Sequence, residues 1–374
     1  MKKVLLISTG NIARGGVQKF LEEWIGASKN QYQYTWYCCG ENYDNELKES
    51  FESLGVEVID GNINLRKATR YFFFAKDLRK ELSKNTYDIV HINTGVILYA
   101  FVALNVAKRQ NIPQIIVHSH NSSERRFNMF EQKVLASLQK NIRQSATNLV
   151  ACSEKAAEWM FGCKGETEVP WVYIRNKIDV SKYQFNPDTR EKYRREIQVS
   201  ENCLVLGTVG RLSPVKNQMY LLDIMKELKR ENRNIKLLII GTGTLEEKIR
   251  QKVKELQLED YVLLLGERRN VNQWLQAMDV FLMPSLHEGF PIAAIEAQAS
   301  GLPCLFADNF SPETKLREDV FFLPLDNIAV WKKTIMQIYN QRESFSNRDG
   351  ATTVIKQEGF DKNSFFEEIQ NLYS

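Results

Sequence analysis

Short apolar runs alternate with helical patterns along this 374-residue chain, and they do so in two successive series. Aliphatic residues dominate the runs, which is typical of strands buried on both faces of a parallel sheet. The alternation predicts an α/β protein with two doubly wound domains. The runs lie at residues 4–8, 34–38, 56–59, 89–92, 115–118 and 148–152, and then at 204–209, 237–240, 262–265, 280–283, 303–307 and 321–323.

The rhythm pauses around residues 172–185, where turn formers such as Asn176 and Asp179 replace a long helix. We therefore predict an N-terminal domain of residues 1–172 and a C-terminal domain of residues 173–357. A last helical pattern comes too late to complete the second sheet, so we expect the segment 358–374 to pack back on the first domain. Two such domains predict a ligand cleft between them.

Composition excludes several classes of protein. The chain is 43% hydrophobic and 26% charged, which is typical of a globular protein, and its net charge of +4 is too small to argue for nucleic acid. Its six cysteines show no CxxC spacing, which predicts reduced thiols and a cytoplasmic protein. The first apolar run ends at Ser8, so we interpret it as a strand and expect no transmembrane segment.

Two glutamates, Glu288 and Glu296, flank a turn that follows the apolar run 280–283. The residues after the turn predict a helix at 292–299, with Pro291 in its first turn and the amides there free to meet a phosphate. Glu296 shares a helical face with Ile292, where an unpaired charge is costly, so we expect a polar partner such as ligand hydroxyls. A solvated Glu296 is the alternative.

The spacing of the two carboxylates bears on their chemistry. A fully helical stretch from Glu288 to Glu296 separates them by roughly 12 Å. That separation exceeds the roughly 5 to 9.5 Å between paired glycosidase carboxylates. It favours an extended ligand, with a sugar at Glu288 and a ribose at Glu296, which is a nucleotide sugar.

Three further loops follow predicted strands. The loop with Gly15 and Gly16 suits a phosphate or an acceptor hydroxyl, but it lacks the spacing of a dinucleotide fingerprint or a P-loop. Arg211 and Lys216 provide the pair of cations that a diphosphate needs, with solvated side chains as the alternative. The turn at Gly241 either brings backbone near the ligand or is a plain turn.

Three of the four histidines lie at the ends of predicted strands, where α/β proteins bind ligands. His91 ends one strand, and His118 and His120 end another. His118 and His120 resemble a metal-binding pair, but no third ligand is evident, and we predict no metal site.

The segment 65–80 is basic and aromatic at once. As a helix it presents a core face and leaves two phenylalanines away from that face among cations. We predict that this second face touches anionic membrane, with a solvated face as the alternative. The core face comprises Tyr71, Phe74, Leu78 and Leu82. The predicted membrane contacts are Arg66, Arg70, Phe72 and Phe73.

An ordered set of motifs resembles the family 4 retaining glycosyltransferases. The C-terminal half carries most of the resemblance, and the N-terminal half matches more loosely through Gly15-Gly16, the segment 88–91 and His118. The motifs are Val209-Gly210-Arg211-Leu212 with Lys216, Pro284-Ser285, Glu288-Gly289-Phe290-Pro291, Glu296-Ala297 and Ala299-Ser300-Gly301-Leu302-Pro303. The resemblance implies a GT-B fold with two Rossmann-like domains.

The resemblance also implies an activity. Such enzymes transfer a hexose or N-acetylhexosamine from a nucleoside-diphosphate donor, here expected to be a UDP-sugar, with retained anomeric configuration, no cofactor and no metal. Glu288 then contacts the donor sugar, Glu296 the ribose, Arg211 and Lys216 the diphosphate, and His118 the reacting region. The implied catalytic residues are Glu288, Arg211, Lys216 and His118. The implied donor-binding residues are Gly16, Gly210, Gly241, Gly289, Phe290, Pro291, Ile292 and Glu296.

Among bacterial members the pattern looks most like capsular or exopolysaccharide enzymes that act on polyprenyl-diphosphate-linked acceptors. This implies a peripheral protein on the cytoplasmic face of the membrane. One departure is Arg175-Asn176-Lys177 before Ile178-Asp179, where the family commonly has Pro-Asn-Gly. A nucleotide-sugar epimerase or hydrolase, and a non-catalytic nucleotide-sugar-binding partner of another transferase, are the alternative functions.

Overall fold

A computed structural model describes residues 1–9, 16–39, 45–61, 63, 69–120, 127–163, 170–231, 234–288, 290–341 and 348–374. The chain divides into two compact units. Unit 1 comprises Met1–Lys177 and Lys362–Ser374, and unit 2 comprises Ile178–Asp361. The first division thus follows Lys177 rather than residue 172, and the returning segment begins at Lys362 rather than at residue 358.

Unit 1 contains a seven-stranded parallel sheet with the strand order β3-β2-β1-β4-β5-β6-β7. The order reverses between β1 and β4, which makes the sheet doubly wound, as predicted. The two-residue strand β7 was not predicted. The strands are β1 Lys2–Thr9, β2 Tyr32–Cys39, β3 Glu57–Asp60, β4 Ile89–Thr94, β5 Gln114–Ser119, β6 Asn148–Ala151 and β7 Val172–Tyr173.

Helices cover both faces of this sheet. Helices α3 to α6 share one apolar core with the sheet, while α1, α2 and α14 share the core on the other face. The helices are α1 Gly16–Ser28, α2 Asn45–Ser53, α3 Arg70–Lys84, α4 Ile97–Arg109, α5 Met129–Ser145, α6 Glu154–Phe161 and, from the end of the chain, α14 Phe365–Tyr373.

The C-terminal helix α14 packs against α1 of unit 1. The rings of Trp24 and Phe365 meet edge to face, with their centroids 5.5 Å apart. Buried Lys177 donates from Nζ to Glu368 Oε1 at 2.7 Å and to Ser364 Oγ at 2.5 Å. Lys177 is one of the residues that depart from the family's Pro-Asn-Gly, and its side chain ties the end of the first segment to the returning helix.

Unit 2 contains a six-stranded parallel sheet with the order β10-β9-β8-β11-β12-β13, which reverses between β8 and β11. Strands β8 and β11 have the predicted bounds. The strands are β8 Leu204–Val209, β9 Ile235–Ile240, β10 Val262–Gly266, β11 Val280–Met283, β12 Cys304–Ala307 and β13 Val320–Leu323. The helices are α7 Pro187–Glu196, α8 Gln218–Lys229, α9 Glu246–Glu255, α10 Val271–Ala277, α11 Ile292–Ala299, α12 Ile328–Asn340 and α13 Ala351–Gln357.

Helix length and hydropathy bear on the membrane prediction. Within the described ranges, every helix is either too short or too polar to cross a bilayer.

Candidate functional site

Two loops of unit 2 emerge at the reversal of its sheet. One follows β8 and the other follows β11, and these strands pair in parallel, so both loops leave the same edge. The Leu286 amide donates to the Val215 carbonyl at 2.8 Å, and Asn217 Nδ2 donates to the Pro284 carbonyl at 3.1 Å. These hydrogen bonds join two motifs that are far apart in sequence into one surface.

Lys216 and Glu288 form an ion pair on this surface. Lys216 Nζ lies 2.5 Å from Glu288 Oε1, and the two side chains are 26% and 10% exposed. Such partial burial weakens solvent screening, so the two charges act on each other and on a nearby ligand more strongly than surface charges do. The structure thus brings together two of the predicted catalytic residues.

Arg211 lies in the same loop as Lys216. Its backbone carbonyl accepts a hydrogen bond from Gln218 Nε2 at 2.9 Å, which fixes the loop at the start of α8. The Arg211 side chain is exposed, and within the described parts of the chain its guanidinium is in no ion pair. Arg211 is therefore a cation available to an anionic ligand.

Gly241 supports this loop through a close backbone approach. It has a φ of +134°, and a Cβ atom on it would lie 2.1 Å from the Gly210 carbonyl oxygen. The Gly210 amide donates to Ile240 O and the Leu212 amide to Thr242 O, each at 2.9 Å. The turn at Gly241 therefore needs glycine because a second loop packs on it. Gly210 itself has a φ of +155°.

Helix α11 has the predicted bounds and places Glu296 in the interior of unit 2. Glu296 is 4% exposed, and its Oε1 accepts a hydrogen bond from the Tyr183 hydroxyl at 2.6 Å. The polar partner that burial requires is thus a protein hydroxyl. Sequence reasoning missed Tyr183, which lies in the 3-10 turn Val180–Tyr183, in a segment that we interpreted only as a domain boundary.

The residues between the two glutamates differ from their prediction in detail. Pro291 is the N-cap of α11, with φ −73° and ψ 124°, and the first turn begins one residue later, at Ile292. The ring of Phe290 is buried and stacks on Phe360 with centroids 5.2 Å apart, and Ile292 is buried in the same core. These two side chains are core residues, which leaves their backbone for a ligand. Gly289 lies outside the described residues.

Three histidines of unit 1 lie next to one another. His118 and His120 are at the end of β5 as predicted, but His91 lies inside β4, which continues to Thr94. The rings of His118 and His120 lie 4.0 Å apart, and His91 Nε2 lies 3.3 Å from His118 Nδ1. Burial lowers the pKa of His91 and of His120 to about 3 and the pKa of His118 well below its ordinary value. All three imidazoles are therefore neutral near pH 7. Within the part of the chain that the structure describes, the buried Nε2 of His118 has no hydrogen-bond partner.

Two further predictions concern metal and Gly16. Among the residues that the structure covers, no group of three or more His, Cys, Asp or Glu side chains is arranged to hold a metal ion. Helix α1 begins at Gly16, so Gly16 is a helical residue instead of the loop residue that we predicted. The preceding residues 10–15 lie outside the described ranges, and a ligand contact of Gly16 stays a prediction.

Helix α3 has the predicted core face, with Phe74, Leu78 and Leu82 buried. Phe72 and Phe73 are 68% and 51% exposed, and their rings meet edge to face. The two predicted basic membrane contacts, Arg70 and Arg66, are not observed as exposed side chains. Arg70 is half-buried with its guanidinium 4.8 Å above the Tyr71 ring, and Arg66 lies outside the described residues.

Comparison with known families covers most of the chain. Residues 14–182 match the model of Glycosyltransferase Family 4, and residues 189–350 match that of Glycosyl transferases group 1. Together with the two parallel sheets and the loops at their reversals, these matches define a glycosyltransferase of the GT-B fold. The chain thus carries a family 4 glycosyltransferase domain followed by a group 1 glycosyl transferase domain.

Three bacterial relatives illustrate the similarity. EpsF of Bacillus subtilis (strain 168), named as a glycosyltransferase, is 29% identical over 100% of this chain and 96% of its own length. The capsular polysaccharide biosynthesis glycosyltransferase CapH of Staphylococcus aureus is 24% identical over 96% and 95%. The UDP-Gal:alpha-D-GlcNAc-diphosphoundecaprenol alpha-1,3-galactosyltransferase of Escherichia coli is 25% identical over 79% and 77%.

A solved structure supports the fold along the whole chain. Anabaena Alr3699/HepE, crystallised in complex with UDP-glucose, superposes with a TM-score of 0.79 over 99% of both chains. The identity is 19%, so this likeness concerns the fold.

Proposed function

We propose that the chain is a retaining glycosyltransferase that moves a hexose or N-acetylhexosamine from a UDP-sugar to a polyprenyl-diphosphate-linked saccharide in cell-surface polysaccharide biosynthesis. The observation that carries this proposal is the Lys216–Glu288 ion pair beside the exposed Arg211, at the reversal of the unit 2 sheet. Ligands of doubly wound sheets bind at such reversals. The UDP-glucose complex of Alr3699/HepE supports the choice of donor.

Four side chains of unit 2 have different roles in this reaction. Arg211 and Lys216 stabilise the negative charge that develops on the departing diphosphate, which is the main electrostatic contribution. Glu288 accepts hydrogen bonds from hydroxyls of the donor sugar and holds Lys216 in place. Glu296, oriented by Tyr183, accepts hydrogen bonds from the ribose. With two protein cations at the diphosphate, the reaction proceeds without a metal ion.

Unit 1 supplies His118 and the acceptor side of the reaction. Its neutral imidazole offers Nε2 to the reacting sugar, where it acts as a hydrogen-bonding group rather than as a charge. A lipid-linked acceptor is supported by the relative that uses a diphosphoundecaprenol acceptor and by the capsular relative CapH.

Incubation with a panel of UDP- and GDP-sugars and a polyprenyl-diphosphate saccharide, with and without EDTA, tests this function by mass spectrometry. We expect the acceptor to gain one sugar from a UDP-sugar at a rate that EDTA leaves unchanged. Donor loss with an unmodified acceptor indicates hydrolysis, and interconverted donor sugars indicate an epimerase. Donor binding without turnover of any donor of the panel contradicts the transferase and favours the non-catalytic binding partner.

We further propose that unit 1 associates with the anionic cytoplasmic face of a membrane. Helices α3, α4 and α5 are neighbours, and each has its exposed large apolar residues at its N-terminal end. Because helices that follow parallel strands begin at the same edge of the sheet, these residues lie along one edge. Exposed cations on α3 and α5 suit anionic lipid. The apolar rim comprises Phe72, Phe73, Val96, Leu98, Met129, Phe130 and Val134. The cations are Lys76, Arg79, Lys80, Lys133 and Lys140.

Co-sedimentation with vesicles of anionic and of neutral lipid tests this association. We expect the wild-type protein to bind anionic vesicles, and the double variants Phe72→Ser/Phe73→Ser and Met129→Ser/Phe130→Ser each to lose several-fold in bound fraction, because two exposed apolar side chains no longer enter the interface. Phe366→Ser is the control, since Phe366 is exposed on α14, on the opposite face of the sheet. Equal binding by all four proteins contradicts the proposal.

A further inference from the structure

A chain of hydrogen bonds joins the C-terminal helix of unit 1 to His118. The Tyr373 hydroxyl lies 3.1 Å from Trp24 Nε1 and 2.8 Å from His91 Nδ1. His91 Nε2 in turn lies 3.3 Å from His118 Nδ1. Tyr373, His91 and His118 are all fully buried, so the polar atoms that join them bond to one another rather than to bulk water.

The donors and acceptors of this chain have one consistent assignment. An indole N–H only donates, so Trp24 donates to the Tyr373 oxygen. Burial raises the pKa of Tyr373 well above its ordinary value, and its hydroxyl keeps its proton. That proton has His91 Nδ1 as its acceptor. His91 therefore carries its own proton on Nε2 and donates it to His118 Nδ1, which leaves the proton of His118 on Nε2.

The ring of His118 is also held from its sides. Asn93 Nδ2 donates to the His91 carbonyl at 3.1 Å, so Asn93 presents its Oδ1 to His120 Nε2 at 2.9 Å. His120 stacks on one side of His118, and the Phe20 ring meets His118 edge on, with centroids 5.0 Å apart. The result is a neutral imidazole of fixed orientation whose buried Nε2–H has no hydrogen-bond acceptor among the described residues.

We propose that Tyr373 and His91 are positioning residues that set His118 as the Nε2–H tautomer, so that it donates a hydrogen bond to an oxygen of the bound substrate. The group that His118 recognises is an oxygen that accepts a hydrogen bond, such as that of a sugar hydroxyl or of a phosphate. Helix α14 thereby contributes to transfer through Tyr373, which lies 282 residues from His91 in sequence. This inference rests on the proposed transferase function for its kinetic consequence and is independent of it for the tautomer.

Nitrogen NMR of the protein with labelled histidine tests the tautomer directly, since the chain has only four histidines to assign. We expect His118 to carry its proton on Nε2 in the wild type and to populate both tautomers in Tyr373→Phe, where His91 Nδ1 has lost its donor. Transfer by Tyr373→Phe then falls roughly 10- to 100-fold in kcat. Tyr37→Phe is the matched control, because it removes another fully buried hydroxyl of unit 1, which donates to Asp77 Oδ2 at 2.7 Å and not to any residue of this chain of hydrogen bonds.

Several outcomes overturn the inference. A proton on His118 Nδ1 in the wild type does so without any variant, and therefore does not depend on the stability of Tyr373→Phe. An unchanged tautomer in Tyr373→Phe, or a changed tautomer with kcat equal to that of Tyr37→Phe, also contradicts it. If the tautomers behave as expected but the wild type transfers no sugar, the proposed function fails while the assignment of the protons stands.

Discussion

Lys216→Met lowers kcat for sugar transfer by about 100- to 1000-fold, the range typical of losing one preorganised group that stabilises transition-state charge. The variant removes the cation expected at the departing diphosphate and leaves Glu288 without its ion-pair partner. Steady-state kinetics with the donor and acceptor identified by the panel measure the effect. KM for the donor is expected to change less than kcat, because the charge on the diphosphate grows during the reaction.

Lys252→Met is the matched control for this variant. Lys252 is also a half-buried lysine of unit 2, with its Nζ 2.7 Å from Asp223 Oδ1, but it belongs to α9 rather than to the loops at the sheet reversal. It is expected to transfer sugar at the wild-type rate. Equal rates for Lys216→Met and Lys252→Met would remove Lys216 from the catalytic residues.

Gly241→Ala destabilises unit 2 by roughly 3 kcal/mol or more. A positive φ costs an L-residue about 1 to 3 kcal/mol, and the new Cβ overlaps a backbone oxygen that has no rotamer to move into. The overlap is with Gly210, 2.1 Å from the ideal Cβ position, so the loop that carries Arg211 must shift as well. Urea unfolding of the full chain measures the stability loss, and donor affinity measured in parallel is expected to fall.

Gly266→Ala separates the cost of a positive φ from the cost of a steric overlap of the new Cβ atom. Gly266 ends β10 with a φ of +68°, and a Cβ atom there would meet no heavy atom within 4 Å. This variant should lose only the cost of a left-handed conformation, about 1 to 2 kcal/mol. The account of the Gly241 turn is wrong if the two alanine variants lose the same stability and bind the donor equally well.

The parallel sheets could be predicted because each strand is an unbroken apolar run, as at 204–209 and 280–283, where the observed bounds agree. Strand β7 is only two residues long and leaves no such pattern. Helix α11 was also predicted. Glu296 is the charged residue in its largely apolar sequence, which indicated that this side chain has a buried polar contact. Pro291 was placed one residue too far into the helix because proline suits both the N-cap and the first turn.

Contacts between segments that are distant in the chain could not be predicted from the sequence. Nothing local indicates that Tyr183 meets Glu296, or that Tyr373 meets His91, because each pair forms only when separate elements pack. The need for glycine at position 241 likewise depends on the Gly210 carbonyl of another loop. The pairing of Lys216 with Glu288 joins two motifs that were interpreted separately, one for the diphosphate and one for the sugar.

The anomeric configuration of the product tests the central claim most directly. The purified protein is incubated with an α-linked UDP-sugar and the lipid-linked acceptor, and the new glycosidic bond is assigned by proton NMR. A retaining transferase that stabilises the departing diphosphate with Arg211 and Lys216 gives an α-linked product. A β-linked product would contradict the account, because it requires inversion at the anomeric carbon.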